Sequence, residues 1–219
     1  MSDLVFYTNP NSRGGVVRWL LTELGFVDGK DYQTVILQYD STEPNTGMKS
    51  PEYLTINPMG KVPAIKDGDT VITETCAICL YLADKFSYGN LSPEMSAERG
   101  TYYRWMAFAY GVLEPMVMAK SMNQLAPADK AGQAGYGTYE DVIKTLNQAL
   151  TTANKNGGFL CGNRFTTANL YLSMSLYFYT QFDLIEKSPE MEKYINQHIA
   201  RTSFIKAGEI DGKLEKGIE

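Results

Sequence analysis

Apolar and polar positions change rhythm once along this chain. Up to about residue 86, short apolar runs of strand length alternate with stretches in which apolar residues return every third or fourth position. That mixture predicts an α/β layer with helices packed on a sheet. Leu4-Val5-Phe6-Tyr7 reads as a first strand. Asn9-Pro10-Asn11-Ser12 supplies turn chemistry, and Val16, Val17, Leu20, Leu21 and Leu24 recur at helical spacing until Gly25 stops the helix. Thr34 to Gln38 predicts a second strand, followed by a polar loop rich in Thr, Pro, Asn and Gly that reads as mobile, and then a short segment from Pro51 to Leu54. Val62 to Lys66 and Thr70 to Thr73 flank Asp67-Gly68-Asp69, and an Asp-Gly turn between apolar runs predicts an antiparallel hairpin. From Glu74 to Phe86 the positions Ala77, Ile78, Tyr81, Leu82 and Phe86 restore helical spacing. The predicted order is β-α-β-loop-β-β-α.

Beyond Phe86 the pattern is helix and loop only. Residues 87–92 read as a linker, which divides the chain into a domain over 1–86 and an all-helical domain over 93–219. Helices are expected from Pro93 to Met122, either as two helices or as one kinked at Pro115, and at Tyr136 to Asn154, Thr167 to Phe182 and Ser188 to Ala200.

Composition adds exclusions. With 44% hydrophobic and 21% charged residues the chain is an ordinary globular one, and 20 Lys and Arg against 25 Asp and Glu leave a net charge of −5. No basic footprint for nucleic acid or an anionic membrane is present. The opening residues lack a basic stretch with a cleavage site, no run reaches membrane-spanning length, and three cysteines suit a reducing compartment. A cytoplasmic location is the expectation. The single histidine, His198, rules out a His-rich metal cluster and reads as an ordinary residue on a helix surface.

Several motifs resemble one family. Asn57-Pro58-Met59-Gly60-Lys61-Val62-Pro63-Ala64 is similar to the NPxGKVP element of the cytosolic glutathione transferases, and Thr73-Glu74-Thr75-Cys76-Ala77-Ile78 follows it as their xESxAI element does. Asn9 to Leu24 resembles the bacterial SPxSRxxRVRWLLEEL opening. The run from Tyr103 to Gly111 resembles WMxFAEG, and Phe165-Thr166-Thr167-Ala168-Asn169 resembles FTxAD. Two positions depart: Tyr110 stands for the family's Glu, and Asn169 for its Asp. Thr166 still offers a hydroxyl cap and Asn169 an amide oxygen that can reach back.

The resemblance implies a thioredoxin-like N-terminal domain followed by an all-α C-terminal domain. It also implies a homodimer, and an enzyme of the serine type that presents glutathione as a thiolate to an apolar electrophile. Glutathione is then a co-substrate, with no prosthetic group and no metal. A glutathione-dependent disulfide or peroxide reductase and a non-catalytic binding protein of the same fold are the alternatives.

A free thiol has a pKa near ~8.5, so the site must favour the anion. The turn before the first helix offers a positive dipole end. Ser12 there is the leading donor to sulfur, with backbone N–H groups of Arg13 and Gly14 assisting. Its plainer reading is an N-cap. Tyr7 is the rival donor, or else a core aromatic, and Thr8 and Asn11 remain open.

By resemblance, Val62 pairs its backbone with the cysteinyl unit beside a cis Pro63. Glu74 and Thr75 take the γ-glutamyl end, and Lys61 is a candidate for the glycyl carboxylate. Cys76 and Cys79 have redox spacing but lie inside a predicted helix, where small buried residues are the better reading. Met116 and Tyr110 are candidates for the electrophile pocket.

Overall fold

The computed structural model describes residues 3–94 and 97–216. Met95 and Ser96, inside the expected helix from Pro93, and residues 217–219 at the end of the expected helical domain lie outside the described residues. The chain forms two compact units. One contains residues up to 89 together with those from 201 onward, and the other covers residues 90–200.

In the first unit β1 (Leu4–Thr8), α1 (Gly14–Glu23), β2 (Gln33–Ile36), α2 (Pro51–Ile56), β3 (Ala64–Asp67), β4 (Thr70–Thr73) and α3 (Thr75–Lys85) follow the predicted order. The sheet order is β2-β1-β3-β4, with β1 parallel to β2 and antiparallel to β3. This mixed sheet with helices is the thioredoxin-like arrangement. Strand alternation sends Leu4, Phe6 and Thr8 inward on one face, while Tyr7 packs on the other against Leu37, Met48, Tyr53 and Ala64. The hairpin turns at Gly68, whose φ of +57° suits glycine.

The polar loop after β2 is closed on itself. Gln38 N–H donates to Thr46 O at 2.7 Å, Met48 N–H returns to Gln38 O at 3.0 Å, and a Cβ on Gly47 would meet Ser41 O at 2.2 Å.

α1 is buried almost all round, Arg18 and Trp19 included. A helix covered by a sheet on one side only would show a polar stripe. The cover is a helix at the end of the chain that the hydrophobic pattern did not reveal. This helix, Thr202–Glu215, packs on α1, so the chain's end belongs with the first unit and not with the helical domain expected over 93–219. Trp19 Nε1 donates to Ser203 Oγ at 3.0 Å, the Trp19 and Phe204 rings meet edge to face at 5.1 Å, and Arg201 pairs with Glu23.

In the second unit α4 (Ala97–Phe108) runs through a π-helical turn, Ala109–Leu113, into α5 (Glu114–Ser121). Pro115 lies in the first turn of α5, where its missing N–H is tolerated, and the wider turn before it absorbs the break in register. α6 (Tyr139–Lys155) buries Val142, Leu146, Leu150 and Ala153 along one stripe, and Thr138 caps it by accepting from Asp141 N–H. α7 (Thr167–Gln181) and α8 (Pro189–Ile199) complete the unit, and the helix Thr202–Glu215 is α9.

Thr166 and Asn169 form the expected capping box. His198 corrects the sequence reading, since it is buried at 2% exposure, with Nε2 3.0 Å from Gly158 O and the Tyr194 ring against it edge to face at 4.5 Å. A polar ring with a backbone partner and aromatic neighbours can be buried without a large penalty. No helix among the described residues is long and apolar enough to cross a membrane.

Candidate functional site

Strand register brings the predicted residues to one end of the sheet. Tyr7 pairs with Ala64, Ala64 pairs with Thr73, and Thr8 pairs with Ile36. The segments just beyond that row are the turn at Asn9 to Arg13, the Lys61-Val62-Pro63 approach to β3, the Glu74-Thr75 entry to α3, and the start of the loop at Tyr39. Residues scattered over 60 positions of sequence therefore converge because β1 and β3 run in opposite directions.

Ser12 lies in the turn before α1, where its hydroxyl donates to Asn9 O at 2.7 Å and accepts from Gly14 N–H at 2.9 Å. The Gly14 amide expected to face sulfur is thus held by the Ser12 oxygen, a cap-like contact one residue ahead of the helix. A Cβ at Gly14 would fall 1.9 Å from Thr8 Oγ1, so only glycine lets the helix start approach the end of β1 this closely. Thr8 is 1% exposed and packed against that glycine.

Asn11 is exposed, and its side chain donates to Glu215 of α9 at 3.1 Å. Tyr7 sits with its ring 5.5 Å from that of Tyr53, and burial pushes its phenol up from the ordinary value. The core reading of Tyr7 accounts for its surroundings.

The Val62–Pro63 peptide bond is cis. Its approach is built by Asn57, whose side chain donates to Lys61 O at 2.8 Å and accepts from Met59 N–H at 3.1 Å, while Tyr53 donates to the same Lys61 carbonyl at 2.5 Å. Gly60 bends the segment at φ +57°. The Lys61 carbonyl is therefore spoken for by these two side chains, and Lys61 itself is exposed.

Glu74 is exposed at the N-cap of α3 with φ +67° and ψ 119°, a conformation costing about 1–3 kcal/mol for a residue other than glycine. Such strain gathers at ligand clamps. Thr75 follows as the first helical residue and is buried at 9% exposure.

Cys76 and Cys79 are free and buried in α3. Burial pushes the Cys76 thiol up to about 11 and that of Cys79 well above the ordinary value, so both stay protonated and inert. Met116 is wholly buried, whereas Tyr110 is 51% exposed. Among the described residues no group of three His, Cys, Asp or Glu could hold a metal ion.

Residues 16–85 match the family profile described as the N-terminal domain of glutathione S-transferase. Glutathione S-transferase A of Pleuronectes platessa is 28% identical over 186 residues, covering 79% of this chain and 77% of its own length. The chain is thus similar to the glutathione S-transferases in its N-terminal domain and, at lower identity, over most of its length.

Solved glutathione transferases share its fold. A glutathione transferase from Methylococcus capsulatus superposes with a TM-score of 0.75 at 23% identity over 95% of this chain and 98% of its own. A Phanerochaete chrysosporium glutathione transferase, solved with oxidized glutathione, does so with a TM-score of 0.72 at 23% identity over 97% and 98%.

Among transferase-like features, sequence reasoning missed Asn9, Asn57 and Tyr39. Asn9 joins two elements, accepting from Ser12 on its carbonyl and donating through Nδ2 to Leu37 O at 2.8 Å. Tyr39 donates its hydroxyl to Asn11 O at 2.8 Å. Asn57 was legible as part of a motif, but its clamp required the coordinates. Nothing local marked Tyr39.

Proposed function

We propose that this chain is a glutathione transferase that lays glutathione across the end of its sheet and stabilises the sulfur as a thiolate at the Ser12 turn. The observation that carries the reading is the row Tyr7, Ala64, Thr73, just beyond which the Ser12 turn, the cis Val62–Pro63 edge and the Glu74-Thr75 helix entry lie side by side. Two strand spacings separate the Ser12 end from the Glu74 end, about 10 Å, which is the reach of an extended tripeptide.

The cysteinyl unit pairs with the Val62 backbone. The γ-glutamyl amine meets the Glu74 carboxylate and its α-carboxylate the start of α3 with the Thr75 hydroxyl. Lys61 takes the glycyl carboxylate. Ser12 turns its proton from Asn9 O to sulfur, and the dipole of α1 adds to the field.

Lowering the thiol pKa by about two units corresponds to roughly 2.7 kcal/mol of preference for the anion. The thiolate then attacks an apolar electrophile. Burial of all three cysteines means that a reductase at this site would work through the thiol of glutathione and not through the protein's own. A homodimer in a reducing cytoplasm completes the proposal.

The test is calorimetry with glutathione, joined to thiolate absorbance as a function of pH. The wild type binds and shows a bound thiol well below ~8.5. Ser12→Ala moves that pKa up by about one unit or more, while Tyr7→Phe leaves it in place. Absence of binding by folded protein would remove the reading.

A further inference from the structure

Two hydroxyls from separate segments meet over one turn. Ser12 has a single proton, engaged with the Asn9 carbonyl at 2.7 Å, and its oxygen is also taken by Gly14 N–H. Tyr39, from the loop after β2, sets its hydroxyl on the carbonyl of the neighbouring Asn11 at 2.8 Å with its side chain 53% exposed.

The separation of the two is fixed and not incidental. Asn9 bonds Ser12 through its carbonyl and Leu37 O through its amide, two residues before Tyr39. Closure of the following loop at Gln38, Thr46 and Met48 holds the other side of Tyr39. The turn's own chemistry reaches the phenol as well, because Ser12 and Arg13 both act to lower a pKa that partial burial raises.

We propose that the Tyr39 hydroxyl is a second side-chain donor to the glutathione thiolate, acting from the loop after β2. This rests on the reading of the site as a thiolate site. The physical case is one of relative cost. Turning Ser12 toward sulfur strips a half-buried carbonyl of its donor, whereas Tyr39 leaves the carbonyl of an exposed residue, which water re-satisfies. A phenol, with a pKa near ~10, is also the more acidic donor and matches a thiolate more closely than an alcohol does. The two donors divide the work, with Ser12 bonding the sulfur from within the turn and Tyr39 adding a second bond to the anion.

Tyr39→Phe removes one oxygen. Bound glutathione should then show a thiol pKa raised by about half a unit or more, about threefold in thiolate preference. Affinity for S-methylglutathione, which has no thiolate, should be unchanged. Ser12→Ala combined with Tyr39→Phe should return the bound thiol to near its free value of ~8.5. An unchanged pKa in Tyr39→Phe, or an equal loss of affinity for glutathione and S-methylglutathione, would make Tyr39 only a loop staple and overturn the proposal. A wild type that binds neither peptide overturns the transferase reading along with it.

Discussion

Arg18 in the middle of α1 donates through Nε to Asp211 Oδ1 of α9 at 3.0 Å, across 193 residues of sequence. The same guanidinium reaches Asp28 at 2.9 Å and the Tyr32 hydroxyl at 2.6 Å, and its side chain is fully buried. A charge in that position favours a covering helix that carries a carboxylate, since an apolar cover would leave Arg18 Nε without its acceptor.

Removing one member of this cluster should have unequal effects. Arg18→Met leaves Asp28 and Asp211 without their cation and should cost about 3–5 kcal/mol in urea unfolding. Asp211→Asn keeps an acceptor and sheds a desolvated charge, so it should cost about 1 kcal/mol or less. Burial raises the Asp211 carboxyl above its ordinary range, and the opposing attraction of Arg18 does not cancel that. A carboxyl whose native pKa exceeds its unfolded one holds its proton more tightly when folded. Its contribution is thus complete below the unfolded pKa and lost as pH rises through the native one. Unfolding curves should show that Asp211→Asn lacks this component on the acid side; identical pH profiles would refute it.

Gly14 should accept no side chain. Alanine there places Cβ 1.9 Å from Thr8 Oγ1 and 2.9 Å from Ser12 Oγ, and overpacking of this kind costs about 1–3 kcal/mol. Pairing it with Thr8→Ala removes the worst contact but leaves the Thr8 Cβ at 3.1 Å, so stability should recover in part. Full additivity of the two substitutions would show that the clash is not shared.

Glu74→Gly separates stability from binding. Glycine adopts φ +67° without strain, and that relief of about 1–3 kcal/mol outweighs or balances the ~0.5–1 kcal/mol of added unfolded-chain entropy. The melting temperature should hold or rise while glutathione affinity falls about tenfold, a loss of about 1.4 kcal/mol. A fall in both would assign Glu74 a structural role instead.

Asn169→Asp, which restores the residue its family resemblance calls for, should destabilise this chain. The Asn169 amide donates to Gly158 O at 2.9 Å and to Tyr194 Oη at 3.1 Å while its oxygen closes the capping box, all in a fully buried setting. A carboxylate only accepts, so it keeps the capping box and loses both donated bonds, and the lost donors with a buried charge should cost about 2–4 kcal/mol. Thermal unfolding of the variant measures it.

The motif residues were legible because their chemistry is local. The Asp-Gly hairpin, the helical spacing of Val16 to Leu24 and the Thr166 to Asn169 box each follow from a few adjacent residues and their backbone preferences. Glu74 and Thr75 were found by their place in a motif, yet the positive φ of Glu74 appears only when β4 must turn sharply into α3.

Sequence alone determined the strands, most of the helices and the turn that carries Ser12, since periodicity and turn chemistry act over a few residues, whereas the Val62–Pro63 edge was legible only through a family resemblance. Tertiary structure alone decided that α9 covers α1, that His198 is buried and that Tyr39 stands beside Ser12. In each of those cases a polar group changed its setting because a distant segment supplied its partner. A local pattern of hydrophobicity does not encode such a pairing.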